Sequence, residues 1–112
     1  MKKCRNKKVE YQGKTFDSRR ECERYIYLND LQKKGKSHDL VWQRKFELIP
    51  VQRENGVVVE RPIYYIADFV YIKDGRVIVE DVKGYRGGCV YQLFVVKRKL
   101  MLQRYGIRVR EV

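Results

Sequence analysis

The sequence predicts a mixed α/β fold, a mixed β-sheet flanked by helices in the order αβββαβ after a short N-terminal extension. Three observations predict it. Residues 64–84 are rich in Val, Ile, Tyr and Phe and are broken in the middle by Asp74-Gly75. That dipeptide is the strongest short hairpin signal, because a type I′ loop takes positive φ at both central positions and Asp and Gly tolerate it. Segments with helical spacing and helix start or stop residues lie on either side of this hairpin. The last residues, 107–112, alternate apolar and polar as a closing strand does.

Taken in order, residues 1–8 form a basic tail, expected to be flexible and able to touch phosphate. Residues 8–16 read as a short hairpin around Gln12-Gly13. The first helix begins at Ser18 as N-cap, with Glu21 completing a capping box, and runs to Lys34 before stopping at Gly35. Its predicted apolar face is Cys22, Tyr25 and Ile26, with Leu28 at the edge. On a helical wheel Glu21 lies about 65° from the centre of that face and Glu23 about 135° away. Glu21 is therefore the acid placed to point along the core boundary toward the sheet, although capping alone also accounts for it.

Residues 35–39, with the sole histidine His38, read as a surface loop. Residues 41–50 read as a strand closed by Pro50, with Trp42 in the core or over it. Residues 53–56 are a turn. Residues 57–59 begin the next strand, interrupted near Arg61-Pro62 and resumed at Ile63 to enter the central hairpin. Residues 84–88 are a glycine-rich loop that suits substrate entry. They match no phosphate-cradling nucleotide motif, so no small-molecule cofactor is expected. Residues 90–105 read as a second amphipathic helix stopped by Gly106, with Val90, Leu93, Phe94, Met101 and Tyr105 as its stripe. Lys97 sits inside that stripe, where an amine is costly unless it reaches an acid, a phosphate or water. Arg98, Lys99 and Arg104 are the more exposed basic positions.

The turn also sets a register. With Asp74 and Gly75 as the loop, Lys73 faces Arg76, and the pairing runs back through Tyr71–Ile78 and Phe69–Glu80 to Asp68–Asp81. Opposed residues share a face, and Lys83, two residues beyond Asp81, shares it too. Glu80 goes to the other face. Like charges directly opposed destabilise a sheet, so paired aspartates among Ile66, Val70 and Val79 need a reason. A hard divalent cation supplies one; a surface hairpin in which Lys83 neutralises one Asp is the plainer account.

At 112 residues the chain is sized for one domain, 1–112, with a modest core. Nothing in it is long or apolar enough to cross a membrane, and no apolar run follows the charged N-terminus, so a cytoplasmic protein is expected. The formal net charge of +12 predicts a polyanionic partner, nucleic acid before anionic lipid. Cys4, Cys22 and Cys89 offer neither a disulfide framework nor a zinc clamp, and one histidine excludes multi-histidine metal sites.

Asp68 on one strand, then Asp81-Val82-Lys83 on the next, resembles the PD-(D/E)XK nuclease superfamily. Ile66-Ala67-Asp68-Phe69 stands where the family has Pro-Asp, with Ala67 in place of the proline. Ser18-Arg19-Arg20-Glu21 looks like the Ser-x-x-Glu entry of the family's first helix and lifts Glu21 above Glu23. The resemblance covers residues 16–112, and within the superfamily it is to small phage endonucleases of the junction-resolving, endonuclease I type. It implies a restriction-endonuclease-like core and metal-dependent hydrolysis of DNA phosphodiesters, in the host cytoplasm if phage-encoded. It further implies Mg²⁺ or Mn²⁺ held by Asp68, Asp81, the Val82 carbonyl and Glu21, with Lys83 orienting or deprotonating the attacking water. Gln43, Gln92, Lys97, Lys99 and Arg86 would contact the nucleic acid. Resolving a four-way (Holliday) junction takes two paired cuts and so implies a homodimer. Two rivals stand beside this reading: a non-catalytic nucleic-acid-binding module on the same fold, and an accessory protein that docks an acidic partner.

Overall fold

The computed structural model describes residues 7–112, so most of the predicted basic tail, and Cys4, lie outside the described residues. A four-stranded mixed sheet carries the fold. It is built from β3 (His38–Ile49), β6 (Ile63–Lys73), β7 (Arg76–Asp81) and β8 (Arg110–Glu111), side by side in that order. The first three run antiparallel and β8 joins β7 in parallel. The helices are α1 (Arg19–Lys33), before β3, and α2 (Gly88–Tyr105), between β7 and β8. The predicted αβββαβ order is therefore present in a mixed α/β architecture. Two further hairpins decorate it: β1 (Val9–Tyr11) with β2 (Lys14–Phe16), and β4 (Gln52–Glu54) with β5 (Val57–Glu60).

The central hairpin has the register that its turn dictates. Asp74 and Gly75 take φ of 52° and 74°, and the pairs run from Lys73–Arg76 to Phe69–Glu80. Gln12-Gly13 does the same for β1–β2, with φ of 52° and 77°. Ser18 caps α1, its hydroxyl accepting from the Glu21 N–H at 3.1 Å, and Gly35 sits past the helix end with φ of 74°.

Two clusters divide the core. On one side, Leu28 of α1 packs with Phe69, Tyr71 and Ile78. On the other, Phe94 and Met101 of α2 pack with Phe46, Tyr65, Val70, Val79 and Val109. Burying such side chains contributes about 1.5–3 kcal/mol each, which is what holds the helices to the sheet.

Several boundaries and faces differ from the sequence reading. His38 is exposed but begins β3 rather than sitting in a loop. Residues 57–59 do not start the central strand. They turn back on β4, because Asn55-Gly56 takes φ of 50° and 80° and closes a separate hairpin. The α1 face is rotated: Leu28 is central and Ile26 exposed, so Glu21, in line with Tyr25 and Leu28, is drawn into the interior. On α2, Phe94 and Met101 face inward while Val90 and Leu93 are 79% and 55% exposed. Arg98, expected to be exposed, is half-buried and pairs with Glu111 on β8 at 2.8 Å. That ion pair turns a basic position of α2 inward.

Candidate active site

The β6–β7 ladder ends at Phe69–Glu80, and the next residue on each strand is an aspartate. Here a side-chain acceptor replaces the backbone ladder. The Val82 N–H donates to Asp68 Oδ2 at 2.8 Å. Asp81 and Lys83 are held in turn by Val112: its N–H donates to the Asp81 carbonyl at 2.9 Å, and the Lys83 N–H donates to the Val112 carbonyl at 3.1 Å. The segment carrying the second acid and the lysine is thus fixed from both sides.

Asp81 is buried and doubly partnered. The Tyr65 hydroxyl donates to Oδ2 at 2.5 Å, and Lys83 Nζ lies 2.9 Å from Oδ1. Burial, then the Asp81 charge, pushes the Tyr65 phenol far above its ordinary range, so it stays a neutral donor. The Lys83 ammonium also sits 3.7 Å from the centre of the Phe94 ring. An amine held between a carboxylate and an aromatic face stays close to the acids rather than swinging into solvent.

Glu21 is 4% exposed. Its Oε1 accepts the Asp17 N–H at 3.1 Å and its Oε2 takes a longer contact from Trp42 Nε1 at 3.4 Å. The capping box is therefore displaced by one residue, with the carboxylate reaching the amide before Ser18. Burial raises the Glu21 carboxyl above its usual range against these hydrogen bonds. Asp68 is raised further, to about 8, first by burial and then by the neighbouring Asp81 charge, with Glu21 adding and Lys83 opposing. Asp81 and Glu21 both press on the charge of Asp68, and Lys83 only partly offsets them, which is the condition a bound cation relieves. Among the described residues, however, no three such side chains already converge on one point.

Asp68 and Asp81 line two open depressions at once. One, of about 620 Å³, is polar and reaches Asp17, Ser18, Glu21 and Glu23 at the start of α1. The other, of about 520 Å³, passes Lys83 and Lys97 to Tyr64, Ile66 and Leu93. Of the predicted site residues, Glu21, Asp68, Asp81, Val82, Lys83 and Lys97 line one or both. Gln43 is exposed on β3, between the pairs Trp42–Phe69 and Arg44–Ala67, so it stands across from Asp68. Its φ of 59° is left-handed, a conformation costly for a non-glycine strand residue and concentrated at functional sites.

Gln92, Lys99 and Arg86 are not brought to the acids. Gln92 is exposed on α2, Lys99 lines a separate depression with Arg108, and Arg86 pairs with Glu111 at 3.0 Å. Tyr65 and Trp42 are the members that sequence reasoning did not assign to the site; an aromatic in a strand reads as core, and nothing local marks one whose polar atom finds an acid.

A family model described as "Protein of unknown function (DUF1064)" matches residues 1–110. The chain belongs to the DUF1064 family. In this DUF1064 protein that match spans α1, β3, β6, β7 and α2, with all three acids and Lys83, and ends at the start of β8. No curated protein and no solved structure matches it.

Proposed function

We propose that this protein is a metal-dependent DNA endonuclease of the PD-(D/E)XK kind, with a restriction-endonuclease-like core. The observation that carries the reading is the meeting of Asp68 and Asp81 at the end of the β6–β7 ladder, with Lys83 on Asp81 and Glu21 behind. The αβββαβ order and the net charge of +12 support it.

The donor chemistry fits Mg²⁺ or Mn²⁺, which take carboxylate and carbonyl oxygens. Asp68, Asp81 and the Val82 carbonyl would hold the ion; Glu21 would join by giving up its longer contact, to Trp42. When bound, such an ion neutralises charge at the scissile phosphate and acidifies a water. Tyr65 keeps Asp81 oriented by donating to it. Lys83 orients the attacking water and stabilises negative charge growing on the phosphate oxygens. Lys97, at the rim of the same depression, binds the backbone. Action on four-way junctions would need a homodimer, since two cuts need two sites.

The test is incubation of supercoiled plasmid and a synthetic four-way junction with protein and Mg²⁺ or Mn²⁺. Cleavage that falls by about 10²-fold or more in Asp81→Asn, with DNA binding retained, is the expected result. Binding without cleavage in either metal identifies a nucleic-acid-binding module instead. Absence of DNA affinity at low salt leaves the accessory-protein reading.

A further inference from the structure

The two depressions meeting at Asp68 and Asp81 differ in kind. The first is acidic and polar along the start of α1. The second has an apolar floor with a basic edge. Tyr64, Ile66 and Asp68 alternate along β6, so strand geometry sends them to one face and the floor leads directly to the acid. Ile66 pairs with Lys45 of β3 but lies beyond the end of the β6–β7 ladder, and it is 57% exposed. Leu93 of α2 faces the same space. Lys45, opposite Ile66 on β3, places its ammonium 4.0 Å from the Tyr64 ring centre, and Lys97 stands on the α2 side.

A paired duplex presents sugar and phosphate to a surface beside its scissile bond, and these offer nothing to exposed isoleucine, leucine and tyrosine. An unpaired nucleotide presents both a base face that prefers apolar and aromatic surface and a phosphate that prefers lysine. Deepening the nuclease reading, on which it rests, we propose that the substrate carries an unpaired nucleotide next to the cleaved phosphate. Its base is seated on Tyr64, Ile66 and Leu93, and its phosphate lies between Lys45 and Lys97. The substrate class is therefore DNA with a single-stranded or splayed segment rather than continuous duplex.

The experiment measures binding in EDTA, where no cleavage occurs, to a splayed-arm DNA and to its fully paired counterpart, both carrying 2-aminopurine. Expected is tighter binding of the splayed DNA and a fluorescence change only when the probe is unpaired. Tyr64→Ala and, separately, Leu93→Ser should each reduce that preference roughly tenfold, as loss of a stacking contact does, while Tyr64→Phe retains it. Circular dichroism checks that each variant folds. Equal affinity for both DNAs, or a preference unchanged by both variants, overturns the proposal. So does light scattering that finds a dimer dispersed by Leu93→Ser with the fluorescence change intact, because the floor is then an interface between copies. Metal-dependent cleavage by the wild type alongside any of these overturning results leaves the nuclease reading standing. Absence of cleavage with base seating intact overturns the nuclease reading alone.

Discussion

The Val82 backbone N–H donates to the Asp68 carboxylate at 2.8 Å, across the point where β6 and β7 stop pairing. One bond thereby ties the acid of the first strand to the acid-x-Lys segment of the second. The bond also holds Asp68 beside Asp81, where its charge is least welcome.

Asp68→Asn should stabilise the protein at alkaline pH. The Asp68 carboxyl is raised from 3.8 to about 8 in the folded state, by burial and then by Asp81. Between those values the folded protein holds a proton that the unfolded chain releases, so stability falls as pH rises through the window. Asn keeps the acceptor for Val82 and does not titrate. Thermal melts should show the variant ahead by at least about 1 kcal/mol, or roughly 4–8 °C, above pH 8. The gain should shrink toward nothing near pH 4.

Tyr65→Phe should weaken both stability and activity. It removes the donor to a buried carboxylate, leaving Asp81 with Lys83 alone. Such a loss costs about 1–3 kcal/mol. Thermal melts check the stability, and a fall in the cleavage rate constant at saturating DNA checks that Tyr65 orients Asp81.

Behind the site, Glu80 is 1% exposed and receives two bonds from Arg24, at 2.8 and 2.7 Å, and one from Tyr71 at 2.5 Å. Arg24→Met should destabilise by about 3–5 kcal/mol, because it strands a buried charge. Combining it with Glu80→Gln should recover part of the loss in denaturant melts, since the charge is then gone from both partners.

Much of this arrangement was legible, and the reasons are local. Asp74-Gly75 admits one tight turn, so counting outward from it places Asp68 beside Asp81. Ser18 followed by Glu21 marks a helix start, and a helix start beside the sheet brings that Glu within reach of it. What could not be read depends on partners distant in the chain. Val90 and Leu93 have core spacing, but α2 turns Phe94 and Met101 to the sheet instead, with Arg98 paired to Glu111 across 13 positions. Arg86 reads as a free cation for the same reason, until β8 supplies the same glutamate. Residues 57–59 read as the start of a long strand because Val favours any strand, and the choice of partner was decided by the Asn55-Gly56 turn.

Lys97→Gln should lower the salt dependence of DNA binding, reducing the slope of log affinity against log salt by about 1 as one phosphate contact is lost. Arg86→Gln should leave that slope unchanged and lower the melting temperature, because its guanidinium is engaged with Glu111. Fluorescence anisotropy over a range of salt concentrations separates the two.

The most direct test is calorimetric titration of Mn²⁺ into the protein, in two buffers of different ionisation heat at pH 7.5. A pair of acids that jointly holds a cation predicts uptake with release of the Asp68 proton, and affinity falling at least tenfold in both Asp68→Asn and Asp81→Asn. No uptake by the wild type, even with DNA present, or equal uptake by all three proteins, would contradict it.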